Sequence, residues 1–253
     1  MTRRPAPEVR AQGVFAWYGD VPVLRDVTLT CPAGQITGII GPAGAGKSTF
    51  LRIVNRLAEE SDDFRRAGRL FLDDEDVLAQ ADPTTLRQRV GWLSDRPALF
   101  RGTVYDNVAF GPRIAGFPPR EVARRVEESL REAGLFAALE RRLQLPASDL
   151  ALVDQQRLCL ARALALDPEV LLLDEPTRRL DALATNGLEE VLLGFRGERT
   201  VVLVTHDTQQ AGRVADVTAF FDRGTLVEAG ATEDLFTHPR DPATEAYLSR
   251  RYA

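Results

Sequence analysis

Residues 36 to 57 constrain this chain more than any other segment. An apolar run, Ile36–Ile40, meets the octapeptide Gly41-Pro42-Ala43-Gly44-Ala45-Gly46-Lys47-Ser48, and a helical run, Thr49–Leu57, follows it. A run apolar on both faces reads as a strand buried in a parallel sheet. The glycines let backbone N–H groups close around an anion, and a helix starting there turns its positive end toward the same anion. The octapeptide fits G-x-x-x-x-G-K-[ST], in which the lysine reaches the outer phosphates of a nucleotide and the hydroxyl ligates Mg²⁺. The candidate phosphate-binding residues are therefore Gly41, Pro42, Ala43, Gly44, Ala45, Gly46, Lys47, Ser48 and Thr49. Composition supports the choice of Lys47. It is the only lysine among 32 basic residues. Where arginine serves for every generic positive charge, a single lysine marks a place that needs a compact ammonium on a flexible stem.

Strand and helix patterns alternate along the rest of the chain. Short apolar runs at Val14–Tyr18, Val90–Leu93, Val170–Leu173, Val201–Val204 and Val217–Phe221 read as further strands. From about 96 to 165 the texture changes to helical segments punctuated by Pro112, Pro118 and Pro119. That stretch reads as a helical lobe inserted into an α/β core. Arg65-Arg66 and Asp73-Asp74-Glu75-Asp76 read as solvated loops.

Two acids end a buried run at Val170-Leu171-Leu172-Leu173-Asp174-Glu175-Pro176. Asp174 is placed to hold Mg²⁺ through water, and Glu175 to orient and polarise an attacking water. The run 201–204 ends in Thr205-His206-Asp207, which puts His206 at the same sheet edge. With 253 residues and 44% hydrophobic content the chain can bury one large α/β core. A net charge of −5 argues against nucleic acid as the main partner. Cys31 and Cys159 match no zinc or disulfide spacing, which fits a reducing, intracellular setting. No apolar run approaches the ~18 residues that a membrane span needs.

Taken together, Gly41 to Ser48, Leu173-Asp174-Glu175-Pro176 and Thr205-His206-Asp207 resemble the nucleotide-binding subunit of an ABC transporter. The resemblance runs from about Gln12 to the C-terminus. It narrows toward ATPases of bacterial phosphate importers through Tyr105-Asp106-Asn107-Val108-Ala109-Phe110-Gly111, Gln155 to Leu164, Gln209 to Asp216, Thr218-Ala219-Phe220-Phe221 and Glu233 to Pro239. It implies a P-loop NTPase core with a mixed, mainly parallel sheet, in a single domain. The core lobe is expected at about 1–95 and 166–253, and the helical lobe at about 96–165. It implies ATP and Mg²⁺ as cofactors, with Lys47, Glu175 and His206 as catalytic residues. Tyr18 would stack on adenine, or else fill the core as a strand aromatic. The implied partners are a second ATP-binding subunit, head to tail, and membrane permease subunits, with the protein at the cytoplasmic face of the membrane and no nucleic acid involved. Leu99, Phe100, Tyr105 and Phe110 would line the permease groove or fill the core of the helical lobe.

Three positions depart from the family pattern. The expected signature Leu-Ser-Gly-Gly-Gln reads Leu150-Ala151-Leu152-Val153-Asp154. The expected glutamine between the Mg²⁺ site and the helical lobe is Asp95, which as a carboxylate is a third candidate metal ligand beside Ser48 and Asp174. After Pro176 the chain reads Thr177-Arg178-Arg179-Leu180-Asp181, where small residues are expected. The losses concentrate on the surface that would complete a partner's site. The alternative to a hydrolysing subunit is therefore a non-hydrolysing, structural or regulatory ATP-binding partner in an asymmetric dimer.

Overall fold

The computed structural model describes residues 4–79 and 82–252, without the side chains of the last three. The chain opens with an antiparallel hairpin, β1 (Val9–Tyr18) and β2 (Val21–Cys31), and continues into β3 (Ile36–Ile40) and α1 (Lys47–Val54). β4 (Phe64–Leu72) and β5 (Glu75–Asp76) return to that hairpin, and α2 (Thr84–Arg89) leads into β6 (Val90–Leu93). Next come α3 (Val104–Ile114), α4 (Pro119–Glu132), α5 (Phe136–Leu139) and α6 (Leu152–Leu164), with no strand between them. The remaining elements are β7 (Val170–Asp174), α7 (Ala182–Leu193), β8 (Thr200–Val204), α8 (Thr208–Val214), β9 (Val217–Asp222), β10 (Thr225–Ala231), α9 (Thr232–Thr237) and α10 (Pro242–Tyr252).

Two sheets result. The smaller is antiparallel, in the order β2-β1-β4-β5; the larger runs β10-β9-β3-β8-β7-β6 and is parallel except for its edge strand β10. Every residue of β3, β7 and β8 is buried. Side chains leave them alternately to the two faces, as the strand repeat of two requires. Leu171, Leu173, Val201 and Leu203 join the core shared with α3, α4 and α6, whereas Leu172, Val202, Val204 and Ile39 pack with α1 and the antiparallel sheet. Phe50 of α1 meets Phe221 there, ring centroids 5.7 Å apart. In α4 the buried residues Val122, Val126, Ser129 and Leu130 follow helical spacing, so a strongly charged helix still has one core face.

The register sets the position of the site. Ile39 and Asp174 both lie opposite Val204, so β3, β7 and β8 end level with one another. Ligands of open α/β sheets bind at such carboxyl ends.

The antiparallel sheet is where the sequence reading needs correction. β1 begins at Val9 rather than Val14, and β2, β4 and β10 are strands without a clear apolar signature. Arg65 and Arg66 lie within β4, and Glu75–Asp76 form β5; only Asp73-Asp74 is a turn. β4 buries only Leu70 and Leu72 fully. Its other face is solvated and carries Arg65 and Arg69, as one-sided antiparallel sheets allow, while Arg66 is held by Glu59 and the Leu78 carbonyl. α1 also stops at Val54, three residues before the expected end; Arg56 takes a left-handed conformation and a 3₁₀ turn, Leu57–Glu60, follows. Among the described residues no helix is long and apolar enough to cross a membrane.

Candidate functional site

The glycine-rich loop leaves β3 and enters α1 as expected. Gly41 has φ +146°, and a Cβ there would stand 2.0 Å from the Phe221 carbonyl oxygen. Gly46 has φ +92°, and its Cβ would lie 2.6 Å from the Leu24 side chain and 2.8 Å from the Val23 carbonyl oxygen. Both positions therefore require glycine. Between them Pro42, Ala43 and Gly44 form an exposed rim, while Ala45 and Gly46 are buried below it. Lys47 is buried at the start of α1 and its Nζ donates to the carbonyls of Gly41 (2.7 Å) and Pro42 (2.8 Å). The ammonium is thus folded into the loop whose amides and helix end attract an anion.

Ser48 and Asp174 are 126 residues apart in sequence and in direct contact: Ser48 Oγ donates to Asp174 Oδ1 at 2.8 Å. A hydroxyl and a carboxylate side by side are the hard oxygen donors that Mg²⁺ takes with nucleotide phosphates. Among the described residues no group of three His, Cys, Asp or Glu is disposed to hold a metal. A cation here would draw its remaining ligands from phosphate and water. Burial pushes the Asp174 carboxyl above the usual aspartate range; Ser48 and Arg52 oppose this, and the charges of Glu175 and Asp95 add to it. An aspartate whose folded pKa is raised stabilises the fold least once pH has risen past that value. Asp174→Asn, which keeps an acceptor for Ser48, is therefore expected to raise Tm at neutral pH in metal-free buffer, by about 2–4 °C for each kcal/mol relieved. Thermal melts at pH 5 and pH 8 check it, with the larger gain at pH 8.

Glu175 follows at the end of β7 with φ +53°, a strained value for a residue with a side chain. Its N–H donates to the Val204 carbonyl (2.9 Å), and its Oε2 contacts His206 Nδ1 closely. His206 is half exposed, and the Thr205 N–H before it donates to the Ile39 carbonyl. Three strand ends far apart in the chain thus bring Lys47, Ser48, Asp174, Glu175 and His206 together.

Tyr18 ends β1 and packs its half-buried ring on Phe64, centroids 5.2 Å apart. It pairs with Val21 across the turn, two residues before the Val23 that walls Gly46. The hairpin tip therefore borders the glycine loop, a link that no local pattern in the sequence signals. Asp95 does not join Ser48 and Asp174 as a contacting ligand. Its nearest cations are Arg178 (3.9 Å) and Arg96 (4.0 Å). Of the four groove candidates, Phe100 and Phe110 are exposed, meet with their rings tilted and centroids 4.5 Å apart, and line a groove of about 280 Å³ with Asn55, Leu57, Trp92 and Leu166. Leu99 and Tyr105 instead pack against the core of the helical region.

Leu150 and Ala151 lead into α6, and Leu152, Val153 and Asp154 form its first turn. Ala151 is the N-cap and makes no side-chain cap; Leu152 is 43% exposed, and Asp154 sits in the first turn. An acid in that turn already answers the positive end of its own helix.

Residues 24–178 match the family model of the ABC transporter. Among solved structures, a bacterial Atm1-family ABC exporter with ATP bound superposes with a TM-score of 0.81 at 27% identity, over 100% of this chain and 42% of that one. The chain thus spans less than half the length of that exporter. CbiO1 from Clostridium perfringens, part of the ABC transporter complex CbiONQ, shares the fold with a TM-score of 0.81 at 24% identity over 96% of each chain. The matched segment covers more than half of the chain and contains the glycine loop, Asp174 and Glu175. The chain belongs to the ABC transporter family, as an ATP-binding domain.

Proposed function

We propose that this chain is the ATP-binding, ATP-hydrolysing subunit of an importer, with inorganic phosphate as its solute. The observation that carries the ATPase reading is the convergence of Lys47, Ser48, Asp174, Glu175 and His206 at the ends of β3, β7 and β8. Importer direction and phosphate rest on the sequence resemblance of the segments Tyr105–Gly111, Gln155–Leu164 and Glu233–Pro239. The chain works as one nucleotide-binding unit, with the helical lobe at about 96–165 set into the core lobe. Its partners in this reading are a second ATP-binding subunit and membrane permease subunits, the latter seated on the Phe100–Phe110 groove at the cytoplasmic face.

Each residue then has a task. The loop amides and Lys47 bind the phosphates, and Tyr18 offers a ring to the base. Ser48 and Asp174 would hold Mg²⁺, which neutralises charge on the phosphates when bound. Glu175 orients water and accepts its proton, with His206 fixing the carboxylate's position. Asp95 stays beside Arg178.

A second reading is favoured by the start of α6. Phosphate recognition there needs bare amides and a hydroxyl, and this chain presents Ala151, two apolar side chains and Asp154. A homodimer would have two poor composite sites. Paired with a subunit carrying an intact signature, this chain would own one complete site and spoil the other. The purified chain is therefore expected to turn over slowly. Ala151→Ser, Leu152→Gly, Val153→Gly and Asp154→Gln together should raise that rate clearly, by up to the roughly 10²–10³ that a transition-state donor contributes. Steady-state phosphate release decides it: full activity in the wild type with no gain on reversion would remove the asymmetric reading.

A further inference from the structure

Asp95 and Arg178 are separate departures from the family pattern in the sequence, and the fold brings them together. Asp95 lies just after β6 and Arg178 in the loop leaving β7, with Arg178 Nη1 3.9 Å from Asp95 Oδ2. Asp95 is two-thirds buried, its side chain 31% exposed. Its segment is tied to α6, because Gln156 Nε2 donates to the Ser94 carbonyl (2.6 Å) and Arg162 Nη1 to the Ala98 carbonyl (2.7 Å). Arg178 also lines a cavity of about 450 Å³ with Thr177, His206, Asp207 and Gln209. It therefore faces the side of the site where His206 stands. Arg96, the other cation near Asp95, does not line that cavity.

A neutral side chain at position 95 would leave Asp174 and Glu175 as the acids facing a triphosphate. Asp95 adds a third, close enough to act on Asp174 through space. MgATP is itself an anion, so an uncompensated third carboxylate would repel it, and more strongly as the closing site excludes water. We propose that Arg178 is the charge partner of Asp95, the pair standing in for a neutral side chain, so that Asp95 neither repels the nucleotide nor enters the metal's coordination shell. The proposal rests on the ATP-binding reading above. With Arg178 61% exposed and the contact at 3.9 Å, the pair contributes little to stability; its effect falls on anion binding.

The test is ATP affinity by calorimetry on the full chain, for wild type, Arg178→Gln, Asp95→Gln and the double variant, each with Mg²⁺ and with EDTA. Arg178→Gln should weaken binding roughly tenfold, and the double variant should return to within about twofold of wild type, the non-additivity of a coupled pair. The coupling should be the same with and without Mg²⁺, and Tm should stay unchanged in all four proteins. Additive effects would overturn the pairing. So would a loss in Asp95→Gln confined to Mg²⁺, which would assign Asp95 to the metal. An equal loss in Arg96→Gln, rescued by Asp95→Gln, would transfer the role to Arg96 and overturn the proposal for Arg178. If the wild type binds no ATP, the site reading and the pairing fall together. If it binds, and Lys47→Ala does not, additivity at 95 and 178 removes the pairing alone.

Discussion

Glu175→Gln is expected to bind ATP as the wild type does and to hydrolyse it about a hundredfold more slowly or worse. The substitution keeps size and hydrogen-bonding reach but removes the carboxylate placed to accept a proton from water, and a positioned base contributes about 10²–10⁴ in rate. The strained backbone at Glu175 and its contact with His206 fix that carboxylate at the strand end. An amide in the same place is no base. Binding should survive, and even improve slightly, because one of the charges acting on Asp174 disappears. Single-turnover hydrolysis and calorimetry on the same preparation separate the two effects. A change in affinity with turnover intact would mean that Glu175 is not the base.

Lys47→Ala is expected to abolish ATP binding or weaken it severely. Charge-assisted hydrogen bonds contribute ~1.5–3 kcal/mol each, and every 1.4 kcal/mol is about tenfold in affinity. The ammonium bonds to the Gly41 and Pro42 carbonyls at the mouth of the loop, so its reach is short and already directed. Lys47→Arg should fail as well. The position is buried, and a rigid planar fork cannot follow the same short path to the loop carbonyls. Near-normal affinity in the arginine variant, measured with Mg²⁺, would count against the loop assignment.

How much of this was legible in the sequence depends on how local each signal is. β3, β7 and β8 are buried on both faces, so their apolar runs stand out and mark the sheet from which Lys47, Asp174 and His206 project. The motifs at their ends lie on one edge because parallel strands all finish on the same side. The antiparallel sheet was hard to read for the opposite reason. β4 shows water Arg65 and Arg69, and its two core leucines are too few to make a pattern. The groove residues divide along a helix: Phe110 faces out of α3 while Tyr105 packs inward. Spacing names the helix but not which face the rest of the molecule covers. The approach of Arg178 to Asp95 spans two loops and follows from strand order alone, which no local pattern contains.

The central claim is that this chain's own site performs the hydrolysis while the start of its α6 serves a partner poorly. Phosphate release by a mixed dimer tests it most directly, with this chain paired to a subunit that carries an intact Leu-Ser-Gly-Gly-Gln. The mixture should turn over faster than this chain alone, and Glu175→Gln in this chain should remove that gain while the matching substitution in the partner removes little. A mixed dimer indifferent to Glu175→Gln would contradict the account.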